Sequence, residues 1–232
     1  MGTTLTLYHG SEKIIQKPIF GVGNRNNDYG LGFYCTESIE LAKEWACSSE
    51  LDGYANAYTI DTNDLKILSL TNGDYHILNW LFVLLQNRKF RIDSDIASQA
   101  KLYIENNFAI EYRNYDMIRG YRADDSYFSF ANAFLSNTIS ITQLERAMVL
   151  GKLGEQVVAI SKRAFERFQF VEAVSSQKEI YYPKKLSRDT KAREEFRKEK
   201  GRSNILTEKY MIDIIREGWL NDDERLQRVI LK

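Results

Sequence analysis

The sequence predicts an α+β fold, on three observations. Segments of alternating polar and apolar residues, the mark of half-buried strands, are intermixed along the chain with segments whose apolar residues recur at helical spacing. Hydrophobic residues at 44% and aromatic residues at 12% are globular values, and only two prolines interrupt the chain, so most of it can join a core. A length of 232 residues accommodates one large domain or a domain with an extension, and a change of composition after Pro183 favours the second.

Residues Thr3 to Tyr8 alternate and run into Gly10, which reads as a strand ending in a turn. Between Gly21 and Gly32 stand four glycines and three asparagines, suited to a backbone that turns sharply or approaches a ligand. Thr36 is placed to cap a helix with Ile39, Ala42, Trp45 and Ala46 on one face; Trp45 there reads as core. Glu37, Glu40, Lys43 and Glu44 read as the exposed face of that helix. Tyr54 to Ile60 returns to strand character.

Two helices follow, Tyr75 to Asn87 after Asp74 and Ile96 to Asn106 after a Ser94 cap, together an inserted helical unit at about 74–110. His76 reads as structural. A strand at Met117 to Tyr121 leads into Arg122-Ala123-Asp124-Asp125, then a helix from Ser126 to Leu135. Ser140 with Gln143 makes a capping-box pattern for a helix that Gly151 would stop. Gln156 to Ile160 and Gln169 to Ser175 read as strands around a short helix, Ser161 to Arg167. The predicted domain therefore spans 1–183, and 184–232 is a basic, helical extension: Lys184 to Arg202 carries nine Lys or Arg against four Asp or Glu, and Thr207 to Trp219 reads as a last helix. No repeat is visible.

Lys plus Arg and Asp plus Glu are both 32, so overall charge gives no reason to expect a polyanionic partner. Cys35 and Cys47 form no spaced metal cluster, and so few cysteines fit a reducing compartment; a cytoplasmic location and no metal are expected. No apolar run reaches the ~18 residues of a spanning helix, and no signal peptide is expected. Gly2 with Thr6 fits the loose myristoylation pattern, but the alternation from Leu5 to Leu7 reads better as a strand, so no membrane partner is expected. Gly21-Val22-Gly23 lacks a third glycine and a surrounding βαβ unit, which excludes a Rossmann reading.

The order Tyr8-His9-Gly10, glycine-rich loop, Gly32-Phe33-Tyr34, Thr36 and helix resembles the His-Tyr branch of the ADP-ribosyltransferase superfamily, the branch of diphtheria toxin and the poly(ADP-ribose) polymerases. It resembles more closely an uncharacterised bacterial toxin-like family of that branch, through Asp28 to Thr36, Ala42, Trp45, Arg122-Ala123-Asp124-Asp125 and Gly154-Glu155-Gln156-Val157, over roughly residues 5 to 182. The resemblance implies a split two-sheet core that binds NAD as co-substrate in a cleft. His9 would bond the adenosine-side ribose, Gly10 would reach the nicotinamide amide through its backbone, and Tyr34 would stack on the nicotinamide ring. Ser11, Asn27, Asp28, Gly32, Phe33 and Thr36 complete the implied NAD-contacting set.

At the third catalytic position, where many relatives carry glutamate, the resemblance aligns Gln156, with Glu155 before it. Neighbours on a strand face opposite ways, so only one of the two can face the cleft. An amide accepts a hydrogen bond but supplies no charge, which makes Asp124 and Asp125 attractive as helpers; an Asx cap on the next helix is the alternative for one of them.

The implied activity is transfer of a single ADP-ribose from NAD to a macromolecular target, protein or nucleic acid, by a bacterial toxin or phage-defence effector held by a small antitoxin protein. The alternatives are a catalytically degenerate module that binds NAD or ADP-ribose, and an NAD glycohydrolase. The basic stretch reads first as a solvated helical surface or an antitoxin-docking element, and second as a phosphate-binding one.

Overall fold

The structure, a computed structural model, describes residues 4–123, 125–150, 154–201 and 207–226, excepting the side chains of Asp125, Ser126, Glu199 and Lys200. Asp124 and the predicted stop at Gly151 lie outside the described residues.

Two sheets form the frame. Strands β1 (Thr4–Ser11), β3 (Gly53–Asp61) and β7 (Phe168–Ser176) make an antiparallel sheet in the order β1-β3-β7. Strands β2 (Phe33–Cys35), β4 (Ile67–Ser69), β5 (Met117–Tyr121) and β6 (Glu155–Ala159) make the other, in the order β2-β6-β5-β4. Backbone bonds between Tyr8 and Thr36, 2.8 and 3.0 Å, stitch β1 to the chain just beyond β2. The α+β class is as the sequence predicts.

Strand alternation sorts the side chains into two cores. Leu7, Tyr58 and Ile60 meet Phe33, Cys35, Met117, Val157 and Ala159, closed by Phe165 of the short helix α6 (Lys162–Phe165). Residues of the opposite parity in the second sheet, Ile118 and Val158, join a larger core with the helices α2 (Ile77–Asn87), α3 (Asp95–Asn107), α4 (Asp125–Leu135), α5 (Ile141–Ala147) and α8 (Met211–Arg216). Helix α1 (Ile39–Ala46) lies close on the first sheet because the residues beneath it are minimal: a Cβ on Gly10 would stand 2.1 Å from the Ala42 carbonyl oxygen, and one on Gly53 2.1 Å from that of Ala46.

Several local readings are refined. Ser38, not Thr36, caps α1, its hydroxyl accepting from the Leu41 N–H, while Thr36 is held in the bridge to Tyr8. His76, not Asp74, is the N-cap of α2; it is buried, with its ring edge-on to Phe108. Strand β4 went unrecognised in the sequence. It pairs with β5 in parallel, and a parallel pair needs a long crossover, which in the chain contains α2 and α3. The last helix is shorter than predicted, since Tyr210 begins it with its N–H held by Asp213, and Gly218 at φ +65° follows its end.

The change of composition at Pro183 falls inside one helix, α7 (Lys178–Gly201). That helix docks on the body: Ala192 is buried, Phe196 stacks on Phe130 with centroids 3.9 Å apart, and Arg188 makes a two-pronged bond to Glu44 at 2.9 and 2.8 Å. Glu44, expected on an exposed face, is 3% exposed. The partner that covers it lies 144 residues away, beyond the reach of helical periodicity.

Candidate functional site

Burial and hydrogen bonding converge on Asp28, in the loop before β2. Its carboxylate is 6% exposed and accepts from three directions: the Ala123 N–H at 2.8 Å, the Gln156 Nε2 at 2.8 Å and Arg88 Nη1, at the end of α2, at 3.0 Å. Burial pushes its pKa up; the bonds from Ala123 and Gln156 and the charges of Arg88 and Arg122 oppose that shift. Gly30 turns the loop at φ +75°, and its missing side chain admits the Asn87 amide, whose Oδ1 would stand 2.6 Å from a Cβ.

Around this carboxylate opens a cavity of ≈ 210 Å³. Tyr34 and Gln156 reach it from β2 and β6, Trp45 from α1, and Asn27 from the loop, with Arg88, Arg122 and Ala123 completing the described wall. Two of its groups are fixed in orientation. The Tyr34 hydroxyl donates to the Gly30 carbonyl at 2.7 Å and accepts from the Tyr29 N–H at 3.0 Å, so the ring cannot swing. Gln156 Nε2 donates to Asp28 and, at 3.2 Å, to the Tyr121 carbonyl; both partners are acceptors, so the amide has one sensible orientation and Oε1 is its remaining acceptor. The Arg122 guanidinium lies 3.7 Å above the centre of the Trp45 ring.

Of the two carboxamide and carboxylate neighbours on β6, Gln156 is the one that lines the cavity, 4% exposed. Glu155 faces the other way and is held by Arg119 at 2.8 Å and by the Thr71 hydroxyl; Arg119 also bonds Glu37 at 2.6 Å.

His9 stands beside this cavity rather than in it. Its Nδ1–H donates to the Tyr34 carbonyl at 2.7 Å and its ring lies 4.4 Å from that of Phe33. That bond fixes the tautomer with Nε2 as the acceptor, and burial lowers the imidazole pKa, so the ring is neutral at pH 7.

The sequence-predicted set is therefore divided. Asn27, Asp28, Tyr34 and Gln156 are brought together, and His9 adjoins them. Phe33 is a core ring against Tyr58 and Phe168, and Gly32 is required by packing, since a Cβ would stand 2.6 Å from Val158 Cγ1. Ser11 accepts from the Asn56 amide, and Gly10 faces α1. Asp125 begins α4, while Asp124 lies outside the described residues. Sequence reasoning missed Arg88 and misread Trp45 as core; Arg122 lay within a motif singled out for its aspartates. A cation after a helix that ends opposite a buried loop carboxylate has no local signature. Trp45 shares the apolar face of α1 yet is only half-buried.

The fold and site define a two-sheet α+β protein with a polar, aromatic-walled cavity at the edge of its second sheet. The chain belongs to the family described as "Protein of unknown function (DUF3990)", which matches residues 5–170. No curated protein and no solved structure matches the chain.

Proposed function

We propose that the chain is an NAD-using mono-ADP-ribosyltransferase built on a split two-sheet, ADP-ribosyltransferase-like core. The reading rests on one observation above the others: Tyr34 and Gln156, singled out by motif and distant in sequence, line one cavity with Trp45 and an anchored carboxylate. At ≈ 210 Å³ the cavity is smaller than the ~300–1,000 Å³ of sites that enclose a whole drug-sized ligand, and suits one planar ring such as nicotinamide. The pinned Tyr34 ring offers that ring a face, and His9 Nε2 offers an acceptor to a ribose hydroxyl.

In the proposed reaction the bond between nicotinamide and ribose breaks, nicotinamide leaves with the electron pair, and the ribose carbon becomes oxocarbenium-like before the acceptor's nucleophile attacks it and releases a proton. Acceptor groups near the ribose lower that barrier. Gln156 Oε1 is the acceptor here, and Asp28, bonded to the same amide through Nε2, polarises it toward greater negative charge on oxygen. Asp28 thus takes the charge-supplying part expected of Asp124 and Asp125. Incubation with labelled NAD and a cell lysate, followed by separate protease and nuclease digestion, tests activity and acceptor class together; no nicotinamide release with any extract would sink the reading.

A second reading is favoured by the same Gln156 geometry. An amide locked between Asp28 and the Tyr121 carbonyl carries no charge, as in a module that binds NAD or ADP-ribose without turning it over. Binding without release of nicotinamide distinguishes that reading, and release of nicotinamide with free ADP-ribose, and no modified macromolecule, would mark an NAD glycohydrolase. The roles of toxin or phage-defence effector, and of a small antitoxin as partner, depend on the transferase reading; relief of growth arrest by a co-expressed neighbouring small protein tests them.

A further inference from the structure

A second cavity, ≈ 250 Å³, opens between α5 and the C-terminal segment, with Ile141, Thr142 and Glu145 on one side and Glu208, Lys209 and Trp219 among the groups facing them. Glu145 is 5% exposed, and its Oε1, itself closed off from solvent, has no hydrogen-bond partner among the described residues. A buried carboxylate oxygen left in this state costs free energy unless a donor arrives.

The cations on the wall are already engaged. Lys209 is held by Glu217, and Arg225, which also borders the cavity, is bonded to Glu217 at 2.7 Å and to Asp223 at 2.6 Å while lying over the Trp219 ring. Glu208 accepts from the Ser140 hydroxyl at 2.6 Å, a neutral partner, and among the described residues no cation pairs with it. Glu145 feels the charge of Arg146, its neighbour on α5, but among the described residues neither Glu145 nor Glu208 is held in an ion pair around a space walled in part by Ile141 and Trp219.

The geometry points to a binding site for a primary alkylammonium group, its N–H donors on the carboxylates of Glu145 and Glu208 and its alkyl stem along Ile141 and Trp219. A divalent metal is the weaker match, because such ions take six or more oxygen ligands and, among the described residues, no group of three or more His, Cys, Asp or Glu is placed to hold one. The volume lies below that of a site for a drug-sized ligand, which suits a single side chain or a short free amine. Burial pushes the Glu145 carboxyl up to about 7 against the opposing charge of Arg146, so an arriving cation displaces a proton near neutrality, and binding weakens as pH falls.

Calorimetric titration of the full chain with n-pentylammonium at pH 8 tests this, with 1-pentanol as the uncharged control of the same shape. Expected are binding of the amine but not the alcohol, a loss of tenfold or more in Glu145→Gln, and a comparable loss at pH 5. Glu145→Gln removes a buried charge and keeps the fold, so its readout is binding and not collapse. Spermidine and a peptide with one internal lysine then identify the source: tighter binding of spermidine assigns a free polyamine, and tighter binding of the peptide assigns a lysine side chain of a protein. No pentylammonium binding, or equal binding by Glu145→Gln, overturns the site whether or not the chain cleaves NAD.

Discussion

Asp28 and Glu145 are carboxylates buried to nearly the same depth, 6% and 5% exposed, in surroundings of opposite kind. Asp28 accepts from a backbone N–H, an amide and a guanidinium drawn from three separate elements. Glu145 has one oxygen with no donor among the described residues, and its carboxyl is pushed up to about 7 by burial. Depth alone therefore does not tell what a buried acid does. The first ties loop, helix and strand together at one cavity; the second is an unmet demand at the edge of another.

The largest effect that would break this contrast is at Asp28. Asp28→Ala leaves Arg88, Gln156 Nε2 and the Ala123 N–H without their shared acceptor, and breaking a buried pair in this way costs about 4 kcal/mol. Urea unfolding should show that loss together with loss of NAD binding. A cost near zero would mean that the three donors find other partners and that the anchor is not one.

Glu145→Gln should act in the opposite sense. A folded-state pKa of about 7 against an ordinary 4.5 means that the folded state favours the proton, so the wild-type chain has its full stability below pH 4.5 and loses it as pH rises through 7. The glutamine variant has no such loss and should be more stable by roughly 3 kcal/mol above pH 7, with no gain at pH 4. Unfolding curves at several pH values measure the difference, and a gain that is independent of pH would assign it to packing instead.

How much of this was legible in sequence follows from distance along the chain. The Ser94 cap and the Ser140–Gln143 capping box are local patterns, and both form as read. Strand β5 matches its predicted bounds because five residues of strand character stand between turn signals. That Tyr34 and Gln156 would meet could be read only through a motif, since nothing in periodicity joins β2 to β6. The Asp28–Arg88 pair spans 60 residues and the Glu44–Arg188 pair 144, and each is set by how helices close over sheets. The three-residue β4 shows the same limit: its place depends on a parallel partner fifty residues on, reached through two helices. Gly10 was legible as a residue that must lack a side chain, but the demand in this fold comes from α1.

At the Asp28 end of the comparison, Gln156→Glu separates what the sequence suggests from what the geometry allows. Restoring the glutamate common in the resembled superfamily looks like a gain of function. Here the new carboxylate would stand 2.8 Å from Asp28 Oδ2, where two like charges cannot both ionise and one must hold a proton. The expected results are a loss of about 2 kcal/mol of stability at pH 7 and no rise in NAD turnover. A variant that is both stable and faster would show that Asp28 moves away and is dispensable.

The smallest expected effect lies at the cavity wall. Arg122→Lys keeps the charge near Asp28 but loses the flat guanidinium 3.7 Å above the Trp45 ring, a contact worth about 1 kcal/mol. If that stack sets the width of the cavity, NAD affinity should fall about fivefold while the stability change stays within about 1 kcal/mol. Equilibrium binding and urea unfolding on the same protein read both numbers. Unchanged affinity would make Trp45 and Arg122 a packing pair at the rim and confine ligand recognition to Tyr34, Gln156 and the carboxylate that holds them.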